Sequence, residues 1–189
     1  MKVVLATILT LILILTGVLL LGRPMASPRQ GNMTAGGEHV YATWDTMEFD
    51  KAVSAWLISR FIDSDAEFVF LPVGSQISCG IPFDTPQSPW RRQHNKCASD
   101  CVLESLPIDE PAVKKIVAIA HQIELNYWRW DGFPEARKCQ NDFERVRSQT
   151  SDSHKCLERM LVYLDNLYQK LSSGALPDGH ASRAGPTEP

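Results

Sequence analysis

The sequence predicts a predominantly helical α+β domain, with about five helices packed on a small two- or three-stranded sheet and an amino-terminal hydrophobic helix ahead of it. Three observations carry this prediction. Two short runs, Val40 to Trp44 and Glu67 to Leu71, are rich in residues that favour strands. Several longer segments repeat apolar residues at three- and four-residue spacing, the period of a helix with one buried face. The chain also opens with an apolar run, Val3 to Leu21, interrupted only by Thr and Gly.

Taken in order, residues 1–23 read as a signal peptide or transmembrane anchor. Lys2 precedes the run and Gly22-Arg23-Pro24 follows it. At about 19 residues it is longer than a usual signal core and reaches the length that spans a bilayer. Pro24 sits three residues before the scission point that Met25-Ala26-Ser27 offers, which disfavours cleavage, so an uncleaved anchor is preferred. Either outcome places the domain in the periplasm, anchored to the inner membrane or secreted. Residues 24–38 mix Pro, Gly, Ser and polar groups without periodicity and form a flexible linker.

The folded domain spans 39–171. After the first strand, Asp45 with Glu48 three residues on reads as a capping box opening a helix in which Val53, Trp56, Leu57, Arg60 and Phe61 recur at helical spacing. Trp56 and Phe61 are expected in the core. Arg60 is expected to pair with Glu67 or Asp84 and so lock helix to turn. Glu67 to Leu71 reads as a buried strand pairing with residues 40–44, and Pro and Gly punctuate the loop from Pro72 to Pro89. A short helix follows from about Cys97 to Leu106. The next runs from Glu110 to about Trp130, with Pro111 in its first turn and Val113, Ile116, Val117, Ala120, Ile123 and Tyr127 on one stripe. Ala136, Cys139, Phe143 and Val146 mark a fourth helix. The last opens at Ser151 or Asp152 and carries Leu157, Met160, Leu161, Leu164, Leu167, Tyr168 and Leu171. Residues 172–189 are too polar to bury anything and form a disordered tail.

The formal net charge is −3, and no long basic stretch occurs. The electrostatic footprint of a nucleic-acid binder is missing, so no nucleic-acid partner is expected. Five Cys (79, 97, 101, 139 and 156) in an exported domain invite disulfides, and an odd count leaves at least one thiol over. Cys97 and Cys101, four apart on one helix, are spaced slightly too widely for a relaxed bridge. Cys139 or Cys156 on another helix are the better partners.

One block is distinctive in its order: Trp56-Leu57-Ile58-Ser59-Arg60-Phe61-Ile62-Asp63, then Gly80-Ile81-Pro82-Phe83-Asp84-Thr85-Pro86. It resembles the chromate resistance domain that forms the carboxy-terminal half of ChrB-type chromate-responsive regulators and also occurs freestanding. The likeness continues through Ile119 to Glu124, Pro134 to Ala136, Asp152 with His154, and Leu164 to Tyr168, covering about Tyr41 to Leu171. Two departures stand out. Ser54-Ala55 replaces the Cys-Pro of regulator-linked members, and Trp90 and Arg92 stand where those members place a Glu and a His.

Three residue sets carry the candidate chemistry. Arg91 and Arg92, in a cationic loop after the Pro-Phe-Asp turn, are candidates for binding an oxyanion such as chromate, because guanidinium forks match oxyanions. His121 and Glu124, three apart on one helix face, are candidate metal ligands, and His94 would complete a two-His, one-carboxylate set for Fe, Mn or Zn, a divalent or trivalent transition metal. Asp84 is either a further ligand or the residue that shapes its turn, with the latter preferred.

The resemblance and these residues imply an exported or membrane-anchored chromate resistance accessory protein that binds a metal ion or oxyanion. Two alternatives stand beside it: a metal-dependent detoxifying enzyme, either a chromate reductase or superoxide-dismutating, and a non-catalytic envelope interaction module. A reductase would rely on bound metal, since no nucleotide-binding fingerprint is present.

Overall fold

The computed structural model describes residues 39–126 and 134–174. The apolar run, the linker and most of the tail lie outside them, as does the predicted continuation of the long helix to Tyr127 and Trp130. Among the described residues no helix is long and apolar enough to cross a membrane.

Strand β1 (Val40–Trp44) leads into helix α1 (Phe49–Leu57), which continues as a π-helical turn over Ile58–Ile62 and returns as strand β2 (Glu67–Leu71). β1 and β2 pair in parallel, with Tyr41 opposite Phe68 and Thr43 opposite Phe70. A parallel pair needs a crossover between its strands, and α1 with the π turn supplies it. A two-residue strand, β3 (Ile81–Pro82), pairs in parallel with the other side of β1, so the order is β2-β1-β3. The sequence reading placed this segment in the loop; two residues ending in Pro are too short to show any alternation. Gly80 makes the approach possible. Its φ is +64°, and a Cβ there would lie 2.5 Å from the Val40 carbonyl oxygen, so only glycine fits. β2 is only half buried rather than buried, because it forms an edge of the sheet.

Helices α2 (Ala98–Glu104), α3 (Pro111–Leu125), α4 (Pro134–Ser148) and α5 (Ser153–Ser172) complete the domain. Among the described residues, five helices on a three-stranded sheet agree with the predicted α+β, predominantly helical domain. Every residue of α1 is buried, since α2, α3 and α5 all pack against it. Trp56 is 1% exposed and meets Phe61 and Tyr168 at ring-centroid distances of 5.4 and 5.8 Å. Phe49 meets Phe143 of α4 edge-on at 6.0 Å. Val113, Ile116, Val117, Ala120 and Ile123 face the core as their spacing predicted, joined by Leu157, Met160, Leu164 and Leu167 of α5. A large side chain fully buried in this way contributes about 2–3 kcal/mol.

Three local expectations are corrected. Asp45 and Glu48 do not form a capping box: α1 begins at Phe49 with Glu48 as an extended N-cap whose side chain caps nothing. Asp45 instead stays with the sheet through its N–H bond to the Leu71 carbonyl, and its carboxylate accepts the Ser153 hydroxyl. Arg60 pairs with neither Glu67 nor Asp84. The π turn aims it at α5, where Nε and Nη2 donate to the two oxygens of Asp165 at 3.0 and 2.8 Å, and Trp56 Nε1 donates to the same carboxylate at 2.9 Å. All five cysteines are free thiols, four of them buried. Asp152 caps α5 through the amides of His154 and Lys155, as expected of an Asp at that position.

Candidate functional site

The amino-terminal end of α1, the Pro82–Pro86 turn, α2 and the exposed edge of α3 converge on one charged region. Its base is the pair Asp50 and Lys51, which are 0% and 2% exposed. Two adjacent charges on a helix buried all round must each find a partner. Asp50 accepts the backbone N–H groups of Ala98 and Ser99 at 2.8 and 3.0 Å, so a carboxylate on α1 caps the first turn of α2. Lys51 Nζ donates to the Trp44 carbonyl and Thr46 Oγ1, both at 2.9 Å, and lies 3.5 Å from Asp84 Oδ2.

Asp84 holds a left-handed backbone, φ 47°, and its N–H donates to the Trp90 carbonyl. Burial, reinforced by the Asp50 charge, raises its carboxyl to about 7 despite Lys51. Burial lowers the Lys51 ammonium from its ordinary value. Asp84 therefore shapes its turn and is also tied to the charge cluster beneath it.

Above this base, Arg92 Nη2 donates to Glu124 Oε2 at 2.6 Å and lies 3.8 Å from Glu48 Oε2. Burial and the Asp50 charge raise the Glu124 carboxyl above its usual range, while Arg92 opposes the rise. Arg91 points elsewhere, with Nη1 3.4 Å from the Ser88 carbonyl. The predicted oxyanion donor Arg92 and the predicted metal ligand Glu124 are thus each other's partner.

His121 is brought to α2 instead. Its Nδ1 lies 2.7 Å from Asp100 Oδ2, and the same oxygen accepts the Cys97 thiol at 3.2 Å and the Cys97 backbone N–H at 2.9 Å. Burial, with Asp50 nearby, pushes the Cys97 thiol far above its ordinary range. The ligand atoms of Cys97, Asp100 and His121 all lie within 4.8 Å of one another, as do those of a second set, His39, Asp63 and Asp65. His94, His121 and Glu124 do not form such a set among the described residues, and His94 is exposed. In the second set His39 and Asp65 are exposed, and His39 Nδ1 is shared by both Asp63 oxygens at 2.9 Å. An open pocket of about 520 Å³ lies between the start of α1 and the start of α5. Glu48 belongs to it, but Cys97, Asp100 and His121 do not line it.

Sequence reading missed Asp50, Cys97 and Asp100. A signal was present for two of them. Cys97 occupies an N-cap, where Ser, Thr, Asp and Asn are preferred, and Asp100 follows three residues later.

The fold and this region define a small α+β domain that gathers carboxylates, an imidazole and a thiol at the junction of its first three helices. Residues 41–171, more than two thirds of the chain, match the family model described as ChrB, C-terminal domain, and the chain belongs to that chromate-resistance-associated family. No curated protein and no solved structure matches it.

Proposed function

We propose that this domain binds a metal cation as an accessory of chromate resistance, carried at the periplasmic face of the membrane by its amino-terminal apolar run. The observation that supports cation over oxyanion is the pairing of the cluster's own charges. Among the described residues Glu48, Asp84 and Glu124 pair with Lys51 and Arg92, both already engaged, while Asp50 is taken up by backbone amides and Asp100 by His121. An oxyanion binding at Arg92 would have to displace Glu124 from its 2.6 Å contact and sit among the remaining carboxylates. A dianion gains little where the local field is negative, whereas a divalent cation lowers the repulsion among those groups.

Equilibrium dialysis of the detergent-solubilised full chain against cobalt(II) and, separately, chromate tests this reading. About one cobalt ion per chain and no retained chromate are expected. Chromate retention without cobalt would overturn it. Fractionation of cells making the full chain tests the location: recovery with soluble cytoplasmic proteins would overturn the anchored, outward-facing placement.

A further inference from the structure

We propose that Cys97, Asp100 and His121 hold this metal, as a thiolate, carboxylate and imidazole set for a borderline divalent cation of the zinc(II) or iron(II) kind. The inference rests on the cation-binding reading above and supplies its ligands.

The geometry comes from two helices that have other reasons to be in place. Cys97 and Asp100 stand at the N-cap and third residue of α2, with the Asp100 carboxylate bonded back to the Cys97 N–H. His121 comes from the face of α3 that packs on α2. The sulfur-to-oxygen and nitrogen-to-oxygen separations are 3.2 and 2.7 Å. A tetrahedral ion with a metal–sulfur bond of about 2.3 Å and metal–nitrogen and metal–oxygen bonds of about 2.0 Å needs ligand atoms roughly 3.3–3.6 Å apart. The set therefore needs only to open by a few tenths of an ångström to over half an ångström.

Two further facts favour a ligand role beside capping. Cys97 and Asp100 do form a reciprocal capping box, but Asp50 already accepts the Ala98 and Ser99 amides, and a thiol is a weak acceptor at a position where Ser, Thr, Asp or Asn serve better. Asp100 Oδ1 and His121 Nε2 also have no hydrogen-bond partner among the described residues, so the imidazole can carry its proton on Nε2 and present the Nδ1 lone pair to the ion beside Asp100. With His121 about one third exposed, a fourth coordination position opens toward solvent. Sulfur and imidazole favour zinc-like ions over magnesium or chromium(III), which prefer oxygen. Binding replaces the S–H bond with a metal–sulfur bond and releases the proton to solvent, so affinity rises with pH.

Cobalt(II) added to the detergent-solubilised full chain is the test, because a thiolate ligand produces a sulfur-to-cobalt charge-transfer absorption. Wild type and Cys79→Ser, whose thiol is exposed, are expected to show the band. Cys97→Ser is expected to lose it, and His121→Gln to weaken cobalt binding by at least about 100-fold, beyond the usual cost of removing a group that only supports a ligand. Circular dichroism checks folding. If Cys97→Ser does not fold, His121→Gln, which leaves both α2 positions intact, decides alone through its affinity. A chain that binds no cobalt overturns the cation reading itself. A chain that binds cobalt with the band retained in folded Cys97→Ser, or with affinity unchanged in His121→Gln, overturns this assignment and leaves the cation reading standing.

Discussion

Helix α1 has a polar junction at each end. At its carboxy-terminal end a single carboxylate, Asp165, receives Trp56 and both arms of Arg60, and the Arg60 pair lowers its pKa below the ordinary carboxylate range. Donors and acceptors match, and Arg60 and Asp165 remain partly in water. At its amino-terminal end Asp50 and Lys51 are buried, carboxylates exceed cations, and burial raises Asp84 and Glu124. The hydroxyls of Thr43, Ser54 and Thr85, on β1, α1 and the adjoining turn, are buried without a partner. A junction whose role is to hold two helices together comes close to neutral and satisfied. One that keeps surplus charge of one sign is suited to accept a counter-charge.

Substitutions test this contrast. The largest effect is expected for Asp50→Ala, which strands two buried amides and removes the cap of α2, a loss of about 3–4 kcal/mol by denaturant unfolding. A loss no greater than that of Asp165→Ala would erase the difference between the two ends. Lys51→Met is expected to cost about 3 kcal/mol, because Asp84 loses its partner.

The same pair gives a pH signature. The Asp84 carboxyl titrates from 3.8 unfolded to about 7 folded, so the native state holds the extra proton between these values. Its contribution is therefore fully present below about pH 4 and is lost as pH rises to about 7. Asp84→Asn should flatten that decline in a series of unfolding curves, while Lys51, lowered by burial, acts in the opposite sense at alkaline pH.

Gly80→Ala is expected to cost about 2 kcal/mol through backbone strain at its positive φ and contact with Val40. This would detach β3 and the Asp84 turn without touching the Asp165 end. The smallest effect belongs to Asp165→Ala, about 1–2 kcal/mol, because Asp165 and Arg60 are more than one third exposed. Cobalt affinity should be unchanged there, and a drop would show that the two ends are coupled.

The sequence made the framework legible. β1 and β2, the apolar stripe of α3 and the start of α5 at Asp152 all follow from local pattern and capping chemistry. Long-range polar pairing was not legible. Arg60 finds Asp165 across 105 residues, and Asp50 finds Ala98 across 48; nothing local to either residue names its partner. His121 and Glu124 were visible as a helix-face pair, but what each faces depends on how α2 and the Arg92 loop pack against α3. There the local rules stop, and tertiary packing assigns His121 to Asp100 and Glu124 to Arg92.

The cap that Asp50 places on α2 also sets an order of assembly. A seven-residue helix does not nucleate by itself in water, and closing the 48-residue interval to Asp50 costs roughly 3 kcal/mol of chain entropy. The turn bearing Cys97 and Asp100 should therefore order only after α1 has docked on β1. An ion that depends on those two residues would be loaded onto the finished domain rather than guiding its folding. Hydrogen exchange at the Ala98 and Ser99 amides should then follow the opening of α1, whether metal is present or not.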